Sequence, residues 1–288
     1  MNSSGNKRFL YSYFILILCG FLHAGCDLMW KPKSPKEYMV RRPVKMILDK
    51  KLNEISGINY IAAENTLIAI ADDKKKIYKL SPEGKEGDYY DPELPSQDFE
   101  DVVKVGNTVY TLVSNGNIFE INKVDSGYQT NTHKFKSEAK NDFEALYYDS
   151  SQKALIILCK SCAFDKGHQQ RSAFRFYTET KQFDRIPYYA ISTESVQDAL
   201  KDGKADFNPS AAAINPIDQR LYILASSGNL MVISDLKGKV SEVFRLNPTF
   251  YPQAEGISFA PNGDMYVSNE AKLGKPTLLK IAYKPHVK

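Results

Sequence analysis

The chain has 288 residues, of which 43% are hydrophobic, 12% aromatic and 25% charged, and Lys+Arg 38 against Asp+Glu 34 gives a net charge of +4. That length accommodates one large domain or two small ones, and the composition excludes a disordered chain, a collagen and a polytopic membrane protein. The near balance of charge argues against a nucleic-acid binder, which would carry a basic stripe, and the 18 Tyr and 15 Phe favour strands.

At the N-terminus, Lys7 and Arg8 precede an apolar stretch over 9–22. It suits the apolar core of an export signal better than the roughly 20 residues of a spanning helix. His23-Ala24-Gly25-Cys26 follows at once. Small residues just before a cysteine mark a bacterial lipoprotein signal, in which Cys26 is lipidated and becomes the first mature residue. His23 stands where that signal usually has Leu, so an ordinary cleaved signal and an uncleaved anchor are the alternatives. Lipidation would hold the protein at a membrane without spanning it. The expected organisation is a signal over 1–25, a polar tether over 26–43 with Pro32, Pro35 and several lysines, and a single domain over 44–288 in the bacterial cell envelope.

The rest of the chain repeats one unit. Asn53-Glu54-Ile55-Ser56-Gly57-Ile58, Phe99-Glu100-Asp101-Val102-Val103, Phe143-Glu144-Ala145-Leu146-Tyr147, Pro209-Ser210-Ala211-Ala212-Ala213 and Ala254-Glu255-Gly256-Ile257-Ser258-Phe259 each place a polar residue and a short one before an apolar strand. A turn and a second apolar strand follow each time, over 66–71, 108–113, 154–159, 220–225 and 264–268. The turns include Gly106-Asn107 and Pro261-Asn262-Gly263-Asp264, which is hairpin chemistry. Third strands are expected over 76–80, 117–121, 173–177, 229–233 and 277–281.

Aligned on Glu54, Glu100, Glu144, Ser210 and Glu255, the copies lie 46, 44, 66 and 45 residues apart. The long step contains an insertion whose stretch 193–203 has the cap, apolar face and terminal Gly of a short helix. Repeats of this length with several short antiparallel strands predict an all-β fold, a β-propeller. Five blades account for the domain, and six remain open if the insertion hides a degenerate blade. The segment 44–52 is expected to pair as the outermost strand of the last blade, closing the ring and removing its exposed edges. In the third copy, Cys159-Lys160-Ser161-Cys162 has redox or half-zinc spacing, but no second such pair and no suitably spaced His accompanies it. A structural pair is the favoured reading, with a disulfide open.

In a propeller the start of each first strand and the end of each second strand share one face. Glu54, Glu100, Glu144, Ser210 and Glu255 are therefore expected around one mouth of the channel, with Asp72, Lys160, Asn269 and Glu270 on the same rim. Four converging carboxylates raise one another's pKa unless a cation, a lysine or hydrogen bonds offset them. Hard oxygens without clustered His or Cys suit calcium or magnesium. Glu54, Glu100, Glu144 and Glu255 are the candidate metal ligands, while Asp72, Lys160, Ser210, Asn269 and Glu270 are candidate ligand-binding residues. The competing reading makes each Glu a staple that accepts backbone N–H groups of the neighbouring blade.

These repeats, with Asn208-Pro209-Ser210, Leu221-Tyr222-Ile223-Leu224-Ala225-Ser226-Ser227 and Met265-Tyr266-Val267-Ser268-Asn269-Glu270, resemble the SdiA-regulated, YjiK-like family of bacterial envelope proteins, over about residues 45–283. The resemblance implies a propeller behind a membrane signal, related in fold to calcium-dependent lactonase and phosphotriesterase propellers. Two functions then compete. One is a binding or scaffold module, anchored through lipid, that holds a small molecule or an envelope protein and carries a calcium site. The other is a calcium-dependent hydrolase of lactones or phosphoesters, with Asp72, Glu270 or a ring glutamate as general base. His133, His168 and His286 lie away from the rim, and no G-x-S-x-G or phosphate-cradling glycine loop is present.

Overall fold

The second strand of each repeat is apolar at nearly every position instead of alternating, which demands cover on both of its faces. The computed structural model supplies that cover with five antiparallel blades around a central axis, four of them four-stranded and the third carrying a fifth strand. It describes residues 33–285 except Glu138, residues 201–204 and Leu273, so the stretch read as a signal, Cys26, the first part of the expected tether and His286 lie outside the described residues.

Blade 1 is β2 (Ile55–Ile61), β3 (Thr66–Ala71), β4 (Ile77–Leu80) and β5 (Glu86–Tyr90). Blade 2 is β6 (Phe99–Val105), β7 (Thr108–Val113), β8 (Ile118–Val124) and β9 (Gly127–His133). Blade 3 is β10 (Asn141–Asp149), β11 (Ala154–Cys162), β12 (Gln170–Tyr177) and β13 (Gln182–Phe183). Blade 4 is β15 (Ala211–Ile214), β16 (Leu221–Ala225), β17 (Leu230–Ser234) and β18 (Val240–Arg245). Blade 5 takes β19 (Ala254–Phe259), β20 (Met265–Asn269) and β21 (Thr277–Ile281) from the end of the chain and β1 (Val44–Ile47) from its start. The innermost strands β2, β6, β10, β15 and β19 touch in ring order, with β19 beside β2.

The core is divided among the five gaps between blades. In β3, Leu67 and Ala69 face blade 5 with Tyr266 and Leu278, whereas Ile68 and Ile70 face blade 2 with Phe99 and Val102. Strand alternation thus sends successive side chains into different gaps, and each fully buried Leu or Ile contributes about 1.5–3 kcal/mol. The insertion makes no sixth blade. Its strand β14 (Tyr189–Ser192) pairs with β12, and α1 (Thr193–Leu200) buries Val196 and packs against β18. Cys159 and Cys162 form a disulfide with Cα atoms 5.8 Å apart, so their sulfurs do not form half a zinc site.

Closure follows the expected route, with Val44 opposite Lys280 and Ile47 opposite Thr277. The folded body nevertheless begins before residue 44. Tyr38 is 3% exposed; its hydroxyl donates to the Gly263 carbonyl and accepts from Asn215 Nδ2, both at 2.8 Å. The Tyr251 hydroxyl donates to the Val40 carbonyl at 2.9 Å. The end of the segment read as a tether is therefore a clamp across blades 4 and 5. Its polar, Pro-rich surroundings hid a single anchoring aromatic.

Candidate functional site

Register irregularities place the central side chains. In β6, Phe99 pairs with Val113 and Asp101 with Leu112, leaving Glu100 as an unpaired bulge. Glu144 is left out between Phe143 and Ala145 in β10, Glu255 between Ala254 and Gly256 in β19, and Ser56 between Ile55 and Gly57 in β2. A bulge bends its strand and re-aims the extra side chain. Here that direction is the channel, and Ser210, one residue before the first pair of β15, completes the tier.

The blade-1 member of this tier is Ser56, not Glu54. Aligned on Ser56, the first spacing becomes 44 residues, matching the 44 from Glu100 to Glu144. Glu54 belongs to a second tier two residues earlier, with Asp98, Asp142, Asn208 and Gln253. The backbone confirms this equivalence: the carbonyls of Glu54, Asp98 and Gln253 accept the N–H groups of Asp72, Ser114 and Glu270 at 3.0–3.1 Å. Glu54 in Asn53-Glu54-Ile55 imitates the ring glutamates of the other blades, while the true counterpart is a short serine.

The two tiers enclose a cavity of about 390 Å³ lined by eight carboxylates, those of Glu54, Asp72, Asp98, Glu100, Asp142, Glu144, Glu255 and Glu270. Ser56, Ser210, Gln253 and Lys160 complete the lining, so one ammonium stands against eight carboxylates. Of the expected rim residues, Asn269 does not belong there. It is 0% exposed, and its amide donates inside the protein to the Phe250 carbonyl and to Thr277 Oγ1, because β20 ends with that side chain turned into the blade. Ser210 lines the cavity, but its hydroxyl is committed to the Ala254 carbonyl of blade 5 at 2.7 Å.

Burial and mutual repulsion dominate the electrostatics. Burial, then Glu144, Asp98 and Asp142, push Glu100 up to about 10. Burial, with Glu144 and Glu270 adding to it, raises Glu255 to about 8, and burial with Glu54 and Asp72 raises Glu270 to about 7. Glu144 reaches about 7 through burial despite its ion pair with Lys160. Burial also raises Asp142, and burial with Glu54 raises Asp72. For Lys160, burial opposes the charge, yet Glu144, Asp142 and Glu255 outweigh it and hold the ammonium above its ordinary range. Glu144 Oε2 and Asp72 Oδ1 are buried without a hydrogen-bond partner.

Stapling between blades is carried by other side chains. Asn59 Oδ1 accepts the Lys104 N–H at 3.0 Å, Ser258 Oγ accepts the Tyr60 N–H at 2.8 Å, and Asp101 accepts the N–H groups of Val102 and Leu146 at 2.8 Å. The ring glutamates engage side chains and not backbone N–H groups, Glu144 taking Lys160 of its own blade and Glu255 taking Ser226 of neighbouring blade 4. Oxygens of Glu100, Asp142 and Glu144 lie within 4.8 Å of one another. Because calcium–oxygen distances are about 2.3–2.6 Å, that spread lets the three share one ion. The donor set, all hard oxygen with one orphaned acceptor on Glu144, fits calcium or magnesium. Asp98, Asp142, Ser56 and Gln253 escaped the sequence reading; the signal that could have found Asp98, Asp142 and Gln253 is the acid or amide two residues before each bulge, and for Ser56 it is the 44-residue spacing to Glu100.

No curated protein sequence matches the chain. Among solved structures it is similar to the glutaminyl cyclase of Myxococcus xanthus, at 13% identity and a TM-score of 0.56 over 84% of this chain and 97% of that one. It is also similar to a glucose dehydrogenase, at 11% identity and 0.52 over 84% and 100%, and to an Agrobacterium tumefaciens regucalcin described as calcium-binding, at 12% identity and 0.51 over 88% and 97%. At these identities the likeness concerns the fold alone. The model of the SdiA-regulated family matches residues 33–273, the span that holds both tiers and all five first strands, and the chain belongs to that family.

Proposed function

We propose that this protein is a divalent-cation-binding module of the bacterial envelope, with calcium held at the channel mouth by Glu100, Asp142 and Glu144. The observation that carries the reading is the convergence of these oxygens while stapling is assigned to Asn59, Asp101 and Ser258. Glu255 and Glu270 stand in the same cavity and contribute field, and Lys160 supplies an internal counter-charge when no ion is bound. Anchoring through a lipid on Cys26 belongs to this proposal, and the Cys159–Cys162 disulfide is in keeping with an oxidising compartment.

A binding role is favoured over hydrolysis of a lactone by the lining itself. Every residue of the cavity wall is polar, whereas small-molecule substrate pockets are largely apolar with a few polar groups. The test is calorimetric titration of calcium into the chelator-treated full chain, with Glu100→Gln and Glu255→Gln alongside. We expect about one ion per chain, binding weakened at least about tenfold by Glu100→Gln and less by Glu255→Gln. Absence of heat, together with a melting temperature indifferent to calcium, would sink the proposal.

A further inference from the structure

Beside the acidic mouth, and sharing Asp142 with it, lies a second pocket of about 610 Å³ at the end of β11. Its charge is inverted, with Lys140, Lys166 and Arg171 facing only Asp142 and Asp165. Asp165 is already engaged: it is 5% exposed and accepts the Ser172 N–H at 3.0 Å, the Ser172 hydroxyl at 2.6 Å and Gln170 Nε2 at 3.3 Å. Asp142 belongs to the carboxylate cluster on its other side. Among the described residues, none of the three cations has a carboxylate at ion-pair distance.

Arg171 is held in place by uncharged partners. One terminal nitrogen donates to the Gln170 carbonyl at 2.9 Å and the other to Asn208 Oδ1 at 2.6 Å, and Nε is buried with no partner. Two neutral acceptors fix the guanidinium plane without neutralising it. Burial draws the Arg171 pKa below its usual range, and the fields of Asp165 and Asp206 offset only part of that cost. By position Asn208 is the blade-4 counterpart of the second tier, two residues before the cavity-lining Ser210, so the guanidinium is tied to the segment that leads into β15. A planar guanidinium with free N–H groups, flanked by two ammonium groups, matches a carboxylate or phosphate.

We propose that this pocket is an oxyanion subsite in which Arg171, Lys140 and Lys166 take the carboxylate or phosphate group of a small ligand whose other oxygens reach the channel mouth. The bridging half rests on the cation reading above, because an anion approaches eight carboxylates only across a bound cation; the oxyanion half does not. The ligand class is then a cation-chelating anionic molecule, of the hydroxycarboxylate or phosphoester kind.

The probe is phosphoglycolate, titrated into the full chain in chelator and again in saturating calcium, for the wild type, Arg171→Met and the Lys140→Gln/Lys166→Gln double variant. We expect binding in both conditions and tighter binding with calcium. Arg171→Met should weaken it about tenfold or more while leaving calcium affinity within about twofold. No binding in either condition, or equal binding by Arg171→Met and the wild type, overturns the subsite. Should Arg171→Met fail to fold, the double variant decides, since its two lysines are exposed: undiminished binding there overturns the subsite equally. Arg171-dependent binding in chelator with no calcium heat leaves the subsite standing and removes the cation reading. Calcium heat without phosphoglycolate binding does the reverse.

Discussion

Glu100, Glu144 and Glu255 meet because each is one residue too many for its strand pair, and the cost of that meeting is visible in their protonation. Their pKa values, about 10, 7 and 8, with about 7 for Glu270, all lie above the roughly 4.3 of an unfolded glutamate. A raised folded-state pKa means that the native protein binds more protons than the unfolded chain, so stability falls as pH rises. This contribution is complete below about pH 4 and is lost as pH climbs through 7, 8 and 10. Glu64 acts in the opposite sense: Lys104 and Lys79 hold it down to about 2, and its contribution is lost only as pH falls below the unfolded value. The metal-free protein should therefore melt several degrees lower at about pH 8.5 than at about pH 5. Calcium should close most of that gap, because a cation offsets the repulsion. A melting temperature that climbs with pH in chelator would show that these carboxylates do not crowd one another. Single-letter identity made Glu100, Glu144 and Glu255 legible in the sequence, and it misled at blade 1, where Glu54 was visible and Ser56 was the true counterpart. Which oxygens lack partners depends on packing between blades and has no local signature.

The first strands crowd the axis because the residue after the channel-facing position is small in four of the five blades, where it is Gly57, Ala145, Ala211 and Gly256. A Cβ on Gly57 would sit 2.3 Å from Asp101 Oδ1 and 2.6 Å from Asp101 Cα. Asp101 is the exception that uses the vacated space, reaching across to the N–H of Leu146 and linking blade 2 to blade 3. Gly57→Ala should thus push β2 away from β6, costing about 1–3 kcal/mol in urea unfolding. Since the clash involves backbone and not only a movable side chain, relaxation is limited; an unchanged midpoint would mean the inner ring is more loosely packed than described. The strands themselves were readable from period and turns, because second strands buried on both faces are continuously apolar. The bulges were not, since an extra residue in a strand changes pairing without changing composition.

At the scale of the whole molecule, stability depends on joining the two ends of the chain. Strand β1 covers the free edge of β21, and a few residues earlier Tyr38 holds Gly263 of blade 5 to Asn215 of blade 4 while packing on Tyr222 and Phe259. Regular spacing made five blades and the closing strand legible, but the clamp was not, because one tyrosine in a polar segment has no periodicity to betray it. Two variants separate its parts. Tyr38→Phe keeps the ring in its aromatic cluster and leaves the Gly263 carbonyl and the Asn215 amide without their partner, so a loss of about 1–3 kcal/mol is expected. Deleting residues 34–47 removes the clamp and β1 together, uncovers Leu279 and Ile281 beside an unpaired strand edge, and should produce a chain that self-associates on size-exclusion chromatography. Unfolding should also lose its single transition, since blades 1 and 5 would no longer be fastened. A deletion variant that stays monomeric and melts in one step near the wild-type temperature would mean that the contacts between β19 and β2 close the ring by themselves, and that the end of the chain only decorates it.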